Sequence, residues 1–101
     1  MARADTFGPM ATGTGTYLLL GGNEGDPLRT LALATEAIAR CIGPVHAQSR
    51  DHWTVAWGFA DERLFLNRAL LVETSLDPCA VLQEALAIEA ELGRVRVSGA
   101  G

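Results

Sequence analysis

Phe65 and Asn67 stand two positions apart in the run Leu64-Phe65-Leu66-Asn67-Arg68. On a β-strand that spacing turns both side chains to one face, roughly 6 to 7 Å apart along the chain. An aromatic ring beside a carboxamide suits a flat heteroaromatic ligand. The ring offers a π-face for stacking, and the amide both donates and accepts toward ring nitrogens and carbonyls. The structural alternative places Phe65 in the core and makes Asn67 a satisfied polar residue at the strand edge. Just upstream, Trp53, Thr54, Trp57 and Phe59 either line a slot facing that strand or plug one end of the core.

Arg94 and Arg96 form a second candidate pair. Two guanidiniums at alternate positions of an extended segment can clamp phosphate oxygens in bidentate fashion, and solvated arginines near a helix C-terminus are the alternative. The loop Gly21-Gly22-Asn23-Glu24-Gly25-Asp26 joins a strand to a helix, as phosphate loops do. It matches neither GxGxxG nor GxxxxGK[ST] and carries two acids that repel phosphate, so it reads as a tight turn. His46 and His52 have no second ligand at useful spacing, and no Ser, Cys or His arrangement marks a nucleophile.

The elements that must position these residues follow from periodicity. Thr16-Tyr17-Leu18-Leu19-Leu20 is a short apolar run with the form of a central strand. Asp26-Pro27 supplies a cap acceptor and a first-turn proline, and Leu28, Leu31, Ala34 or Thr35, Ile38 and Ile42 make a helical stripe ending at Gly43-Pro44. Residues 45–51 alternate as a half-exposed strand, and most of residues 52–63 reads as a long loop. Residues 64–74 form a long strand. Asp77-Pro78 repeats the cap and proline, and Val81, Leu82, Ala85, Ile88 and Leu92 form a second stripe that ends at Gly93.

The order strand, helix, strand, strand, helix is an α+β pattern, a ferredoxin-like β-α-β-β-α sandwich truncated before its closing strand. The division expected is a disordered leader over 1–15, one incomplete domain over 16–96 and a Gly-rich tail over 97–101, too short to supply the missing strand. The sheet edge so exposed invites self-association.

With 101 residues the chain fits one domain. Eight Lys and Arg against twelve Asp and Glu, a net charge of -4, give no basic footprint for nucleic acid. No apolar run is long enough to span a bilayer, and residues 1–15 hold no signal-peptide core, so the expected location is cytoplasmic with no membrane partner. Cys41 and Cys79 fit neither a disulfide framework nor a zinc site.

The ordered blocks resemble those of the hydroxymethyldihydropterin pyrophosphokinase family. Tyr17-Leu-Leu-Leu-Gly-Gly-Asn23 is similar to its "YxxxGSN" opening, Ser49 to Gly58 to its "S-x-x-Y-x-T-x-P-x-G" segment, and Phe65-Leu66-Asn67 with Val72 to Pro78 to "(Y/F)LN...VET.L.P". Ile88-Glu89 and Leu92-Gly93-Arg94-Val95-Arg96 resemble "IExxLGRxR". Gly22 replaces a serine of the pattern, His52 a tyrosine, and Val55 and Ala56 stand where prolines are usual.

The resemblance implies folate biosynthesis, by transfer of pyrophosphate from ATP to 6-hydroxymethyl-7,8-dihydropterin. It assigns pterin binding to Thr54, Trp57, Phe65 and Asn67, nucleotide binding to Glu89 and Arg96, and a catalytic role to Arg94. It also implies Mg2+ held by two aspartates of a later "RxGPRxLDLDIL" block. This sequence reads Val97-Ser98-Gly99-Ala100-Gly101 after Arg96, so no metal ligand is assigned and little turnover is expected from this chain alone. The alternative reading is a noncatalytic pterin- or protein-binding module of the same fold.

Overall fold

A computed structural model describes residues 15–55, 64–93 and 95–100. In chain order the elements are β1 (Gly15–Gly22), α1 (Pro27–Cys41), β2 (Val45–Gln48), β3 (His52–Val55), β4 (Leu64–Glu73), α2 (Pro78–Leu92) and β5 (Arg96–Ala100). The helix starts are local chemistry. Asp26 accepts from Arg29 N–H with Pro27 behind it, and Asp77 accepts from Ala80 N–H with Pro78 behind it. Gly93 closes α2 in the left-handed region at φ 70°, donating to the Glu89 carbonyl.

The sheet is antiparallel, in the order β2-β4-β1-β5, with β3 also paired to β4. β2 and β3 lie end to end along β4. Between Gln48↔Leu70 and His52↔Asn67 the β2–β3 segment advances four residues while β4 advances three, so together they act as one kinked strand. That gives the ferredoxin-like arrangement with both helices on one face. Leu18, Leu20, Leu66, Leu70 and Val72 point from the sheet into the core, where they meet Leu31, Ala34 and Ile38 of α1 and Val81, Ala85 and Ile88 of α2.

Four details differ from the sequence reading. The Gly-rich tail is a strand: Arg96–Ala100 pairs with β1, so the position expected to stand open is filled. β3 lies within the segment read mostly as loop, and its four residues are all exposed, which is why it shows no apolar alternation. β1 runs on through Gly21 and Gly22, which the sequence pattern assigns to the turn. Leu28 and Leu82 are exposed rather than on the packed stripes. Each lies roughly 100° round the helix from the centre of its buried face, at 3.6 residues per turn.

The end of α1 is fastened to the end of β4. Thr74, in the Val-Glu-Thr block, donates its hydroxyl to the Ile42 carbonyl at 2.7 Å and accepts from Leu76 N–H at 3.1 Å, and it is the buried polar residue of the described chain. Thr74→Val keeps the shape and strands both partners, which costs about 1 to 3 kcal/mol. Urea unfolding followed by circular dichroism is expected to show a lower midpoint at unchanged slope; an unchanged midpoint would refute this role.

Candidate functional site

One row of residues crosses the sheet: His52 pairs with Asn67, Asn67 with Gly21, and Gly21 with Arg96. The next position along pairs Thr54 with Phe65. Directly paired residues share a face. Thr54, Phe65, Asn67 and Arg96 therefore stand together on the face away from the helices, while Leu66 and Arg68 point to the helix side. Arg96 is two strands from Asn67, about 10 Å at the usual strand spacing.

The Asn67 side chain is held in one orientation. Its Nδ2 donates to Thr54 Oγ1 at 2.8 Å and to the carbonyls of His52 and Phe65, both at 3.2 Å. Two of these partners are carbonyls, which only accept, so a flipped amide would set its oxygen against theirs. Oδ1 is left on the side of β1, over Gly21, 3.5 Å from the place a Cβ there would occupy. Among the described residues no donor reaches it, and it offers an acceptor beside the half-buried Phe65. The sequence reading gave Gly21 only a turn's role. A Cβ there would stand in ordinary van der Waals contact with that oxygen.

On the opposite face Arg68 makes a bidentate pair with Asp51, Nε to Oδ1 at 2.7 Å and Nη2 to Oδ2 at 3.0 Å. Nη1 donates to Thr35 Oγ1 of α1 at 3.2 Å. Hydrogen bonding to Arg68 holds the Asp51 carboxyl below its ordinary value, against an opposing effect of burial and with further help from the charges of Arg68 and His52. Ser49 completes the junction of β2 with β3, its N–H donating to the Ala69 carbonyl and its Oγ accepting from Ala69 N–H at 2.9 Å.

Of the residues singled out in the sequence, Thr54, Phe65, Asn67 and Arg96 converge on the open face. Trp53 does not join them: it pairs with Leu66 and so points to the other face, half exposed. Glu89 lies on α2, and its Oε2 accepts the Val97 N–H at 3.0 Å, tying the helix to β5. Trp57, Phe59 and Arg94 lie outside the described residues. Gly21, Asp51 and Arg68 were missed. Alternation along β4 marks the face of Arg68, but nothing local pairs it with a residue 17 positions away.

Magnesium finds no fitting donor set among the described residues. No three His, Cys, Asp or Glu side chains converge there, and the carboxylates of Asp51 and Glu89 are engaged by Arg68 and Val97. Among the described residues no helix is long and apolar enough to cross a membrane.

Residues 17–101 match the family described as 7,8-dihydro-6-hydroxymethylpterin-pyrophosphokinase. A 2-amino-4-hydroxy-6-hydroxymethyldihydropteridine pyrophosphokinase of Methylorubrum extorquens is 46% identical over 84 residues, covering 82% of this chain and 53% of the relative. The protein of that name from Porphyromonas gingivalis is 38% identical over 85 residues, covering 84% and 58%. The chain thus spans about half the length of the curated relatives it matches. The C-terminal domain of the MgtC protein from Mycobacterium tuberculosis, solved in solution, superposes with a TM-score of 0.53 at 12% identity over 91% of this chain and 94% of that one. That likeness concerns the fold alone.

Proposed function

Because the chain belongs to the 7,8-dihydro-6-hydroxymethylpterin-pyrophosphokinase family, we propose that its open sheet face is the pterin side of an enzyme making the diphosphate of 6-hydroxymethyl-7,8-dihydropterin. The observation that carries this is the Asn67 amide, pinned through Nδ2 by Thr54 and two carbonyls, with Oδ1 left over Gly21 on the face that Phe65 shares. A reduced pterin has a ring N–H and an exocyclic amino group on one edge. Asn67 Oδ1 accepts from that edge while Phe65 stacks on the ring, and the resemblance assigns Trp57 to pterin binding as well.

In the reaction so proposed, the hydroxymethyl oxygen bonds to the β-phosphorus of ATP. The bond from that phosphorus to the α-bridging oxygen breaks, AMP leaves, and the hydroxyl proton is released. The residues described here bind and orient the pterin. Arg96 faces the phosphates from the far end of the row, and the resemblance assigns Arg94 a catalytic role. Glu89 serves that side by fixing β5, the strand that carries Arg96. A cytoplasmic location fits this chemistry.

Calorimetric titration with 6-hydroxymethyl-7,8-dihydropterin, with and without a nonhydrolysable ATP analogue, tests the reading. Saturable binding is expected, weakened about fivefold by Phe65→Leu, since an aromatic contact contributes about 1 kcal/mol beyond its area. Absence of heat at millimolar pterin, from a sample whose circular dichroism shows it folded, would sink it.

A further inference from the structure

We propose that the Asp51–Arg68 pair is a pin that seats β3 on the sheet and so positions Thr54 and Asn67 for the ligand; in its ligand-binding consequence this rests on the pterin reading above. β3 has little else to hold it. All four of its residues are exposed, and its extensive packing is with β4 alone, whereas the helices pack on β1, β2, β4 and β5. A strand that buries no apolar surface gains little from the hydrophobic effect, so its place is set by the backbone ladder and by polar side chains.

Those side chains grip it from both faces of β4. From one face the Asn67 amide reaches the His52 carbonyl and Thr54 Oγ1. From the other, Arg68 takes Asp51, the residue directly before β3, with both carboxylate oxygens engaged. The guanidinium is itself oriented by Thr35 of α1, whose hydroxyl donates to the Leu31 carbonyl at 2.8 Å. The pair thus joins helix, central strand and the root of β3. Its side chains are only 13% and 24% exposed, so it is shielded more than an ordinary surface pair, and removing one partner leaves the other charge stranded. If β3 lifts, Asn67 loses two of the three acceptors that orient its amide.

Asp51 and Arg68 touch no ligand in this scheme and act as positioning residues. The test uses the 101-residue chain and two variants, Asp51→Asn, which removes the charge at constant shape, and Arg68→Lys, which keeps a charge but loses the fork. Two readouts are taken: amide hydrogen exchange without ligand, and pterin titration. In both variants exchange over residues 52–55 is expected to rise about tenfold or more, as local opening becomes easier. Exchange at Leu18, Leu70 and the α1 core is expected to stay within about twofold, the Asn67 side-chain amide resonances to move, and the pterin dissociation constant to rise about tenfold. Unchanged exchange over β3 in both variants overturns the pin. Faster exchange with unchanged pterin affinity overturns its positioning role. Should the wild-type chain not bind pterin, the functional reading fails on its own, and the exchange measurement still decides whether the pair holds β3.

Discussion

Replacing Gly43 by alanine is expected to destabilise the chain by a large share of its total stability. A Cβ at that position would lie 2.1 Å from the Glu73 carbonyl oxygen, 3.0 Å from the Glu73 carbonyl carbon and 3.2 Å from the Thr74 Cα. All three are backbone atoms, so no side chain can swing aside. Relief requires the end of α1 to move away from the end of β4, and that joint carries the Thr74 bond to Ile42 and the Glu73 N–H bond to Pro44. Overpacking in a well-ordered interior costs about 1 to 3 kcal/mol and sometimes more. A clash with unyielding backbone belongs at or above the top of that range. A domain of this size holds only about 5 to 15 kcal/mol in total, and the loss of two hydrogen bonds adds to the cost. Urea titration should move the midpoint to low denaturant or abolish the transition.

Two other glycines give the controls. Gly93 has open space around it but a φ of 70°, so alanine there is expected to cost about 1 kcal/mol from the left-handed backbone alone. Gly21 has an ordinary contact and a backbone any residue adopts, so Gly21→Ala should fold like the wild type. A Gly43→Ala protein as stable as Gly21→Ala would refute the close approach.

Gly43 also marks a limit of the sequence. Its place before Pro44 reads as a helix stop, and α1 does end there, but the residue that needs the missing Cβ is Glu73, thirty positions away. Features set by local chemistry were legible: the Asp-Pro helix starts, the Gly93 cap, the long strand β4 and the alternation that puts Phe65 and Asn67 on one face. Features set by partners were not. Arg96–Ala100 has weak strand propensity and becomes a strand because β1 offers it an edge and Glu89 accepts the Val97 N–H. β3 is held by its pairing with β4, and with no buried face it leaves no apolar pattern to find. The two stripe residues that proved exposed, Leu28 and Leu82, show why spacing alone overcounts: a residue three before, or one after, a buried position is on the packed face only if the stripe's centre falls nearby.

For the site the same division holds, and it bears on how Asn67 should respond to substitution. Asn67→Ala is expected to raise the pterin dissociation constant about a hundredfold, since the loss of a hydrogen-bonding partner in a desolvated site costs on the order of 2 to 3 kcal/mol. Stability should hardly change. Of the three acceptors it frees, the carbonyl of His52 and the hydroxyl of Thr54 lie in exposed surroundings where water can replace the amide, and the carbonyl of Phe65 is part-buried. Asn67→Asp keeps the shape but sets a carboxylate against the carbonyls of His52 and Phe65, so the side chain must swing away, and binding should fall as far as with alanine. Thr54→Val separates the two roles of the amide. It removes the 2.8 Å bond while leaving both carbonyls to orient Nδ2, and is expected to cost about tenfold, close to the ~1 kcal/mol of a single net hydrogen bond. Thermal melts of all three variants within a few degrees of wild type, together with graded affinities by calorimetry, would place the amide in the ligand's contact surface. An Asn67→Asp protein that binds pterin as well as wild type would show that Oδ1 alone suffices and that the donors on Nδ2 orient nothing.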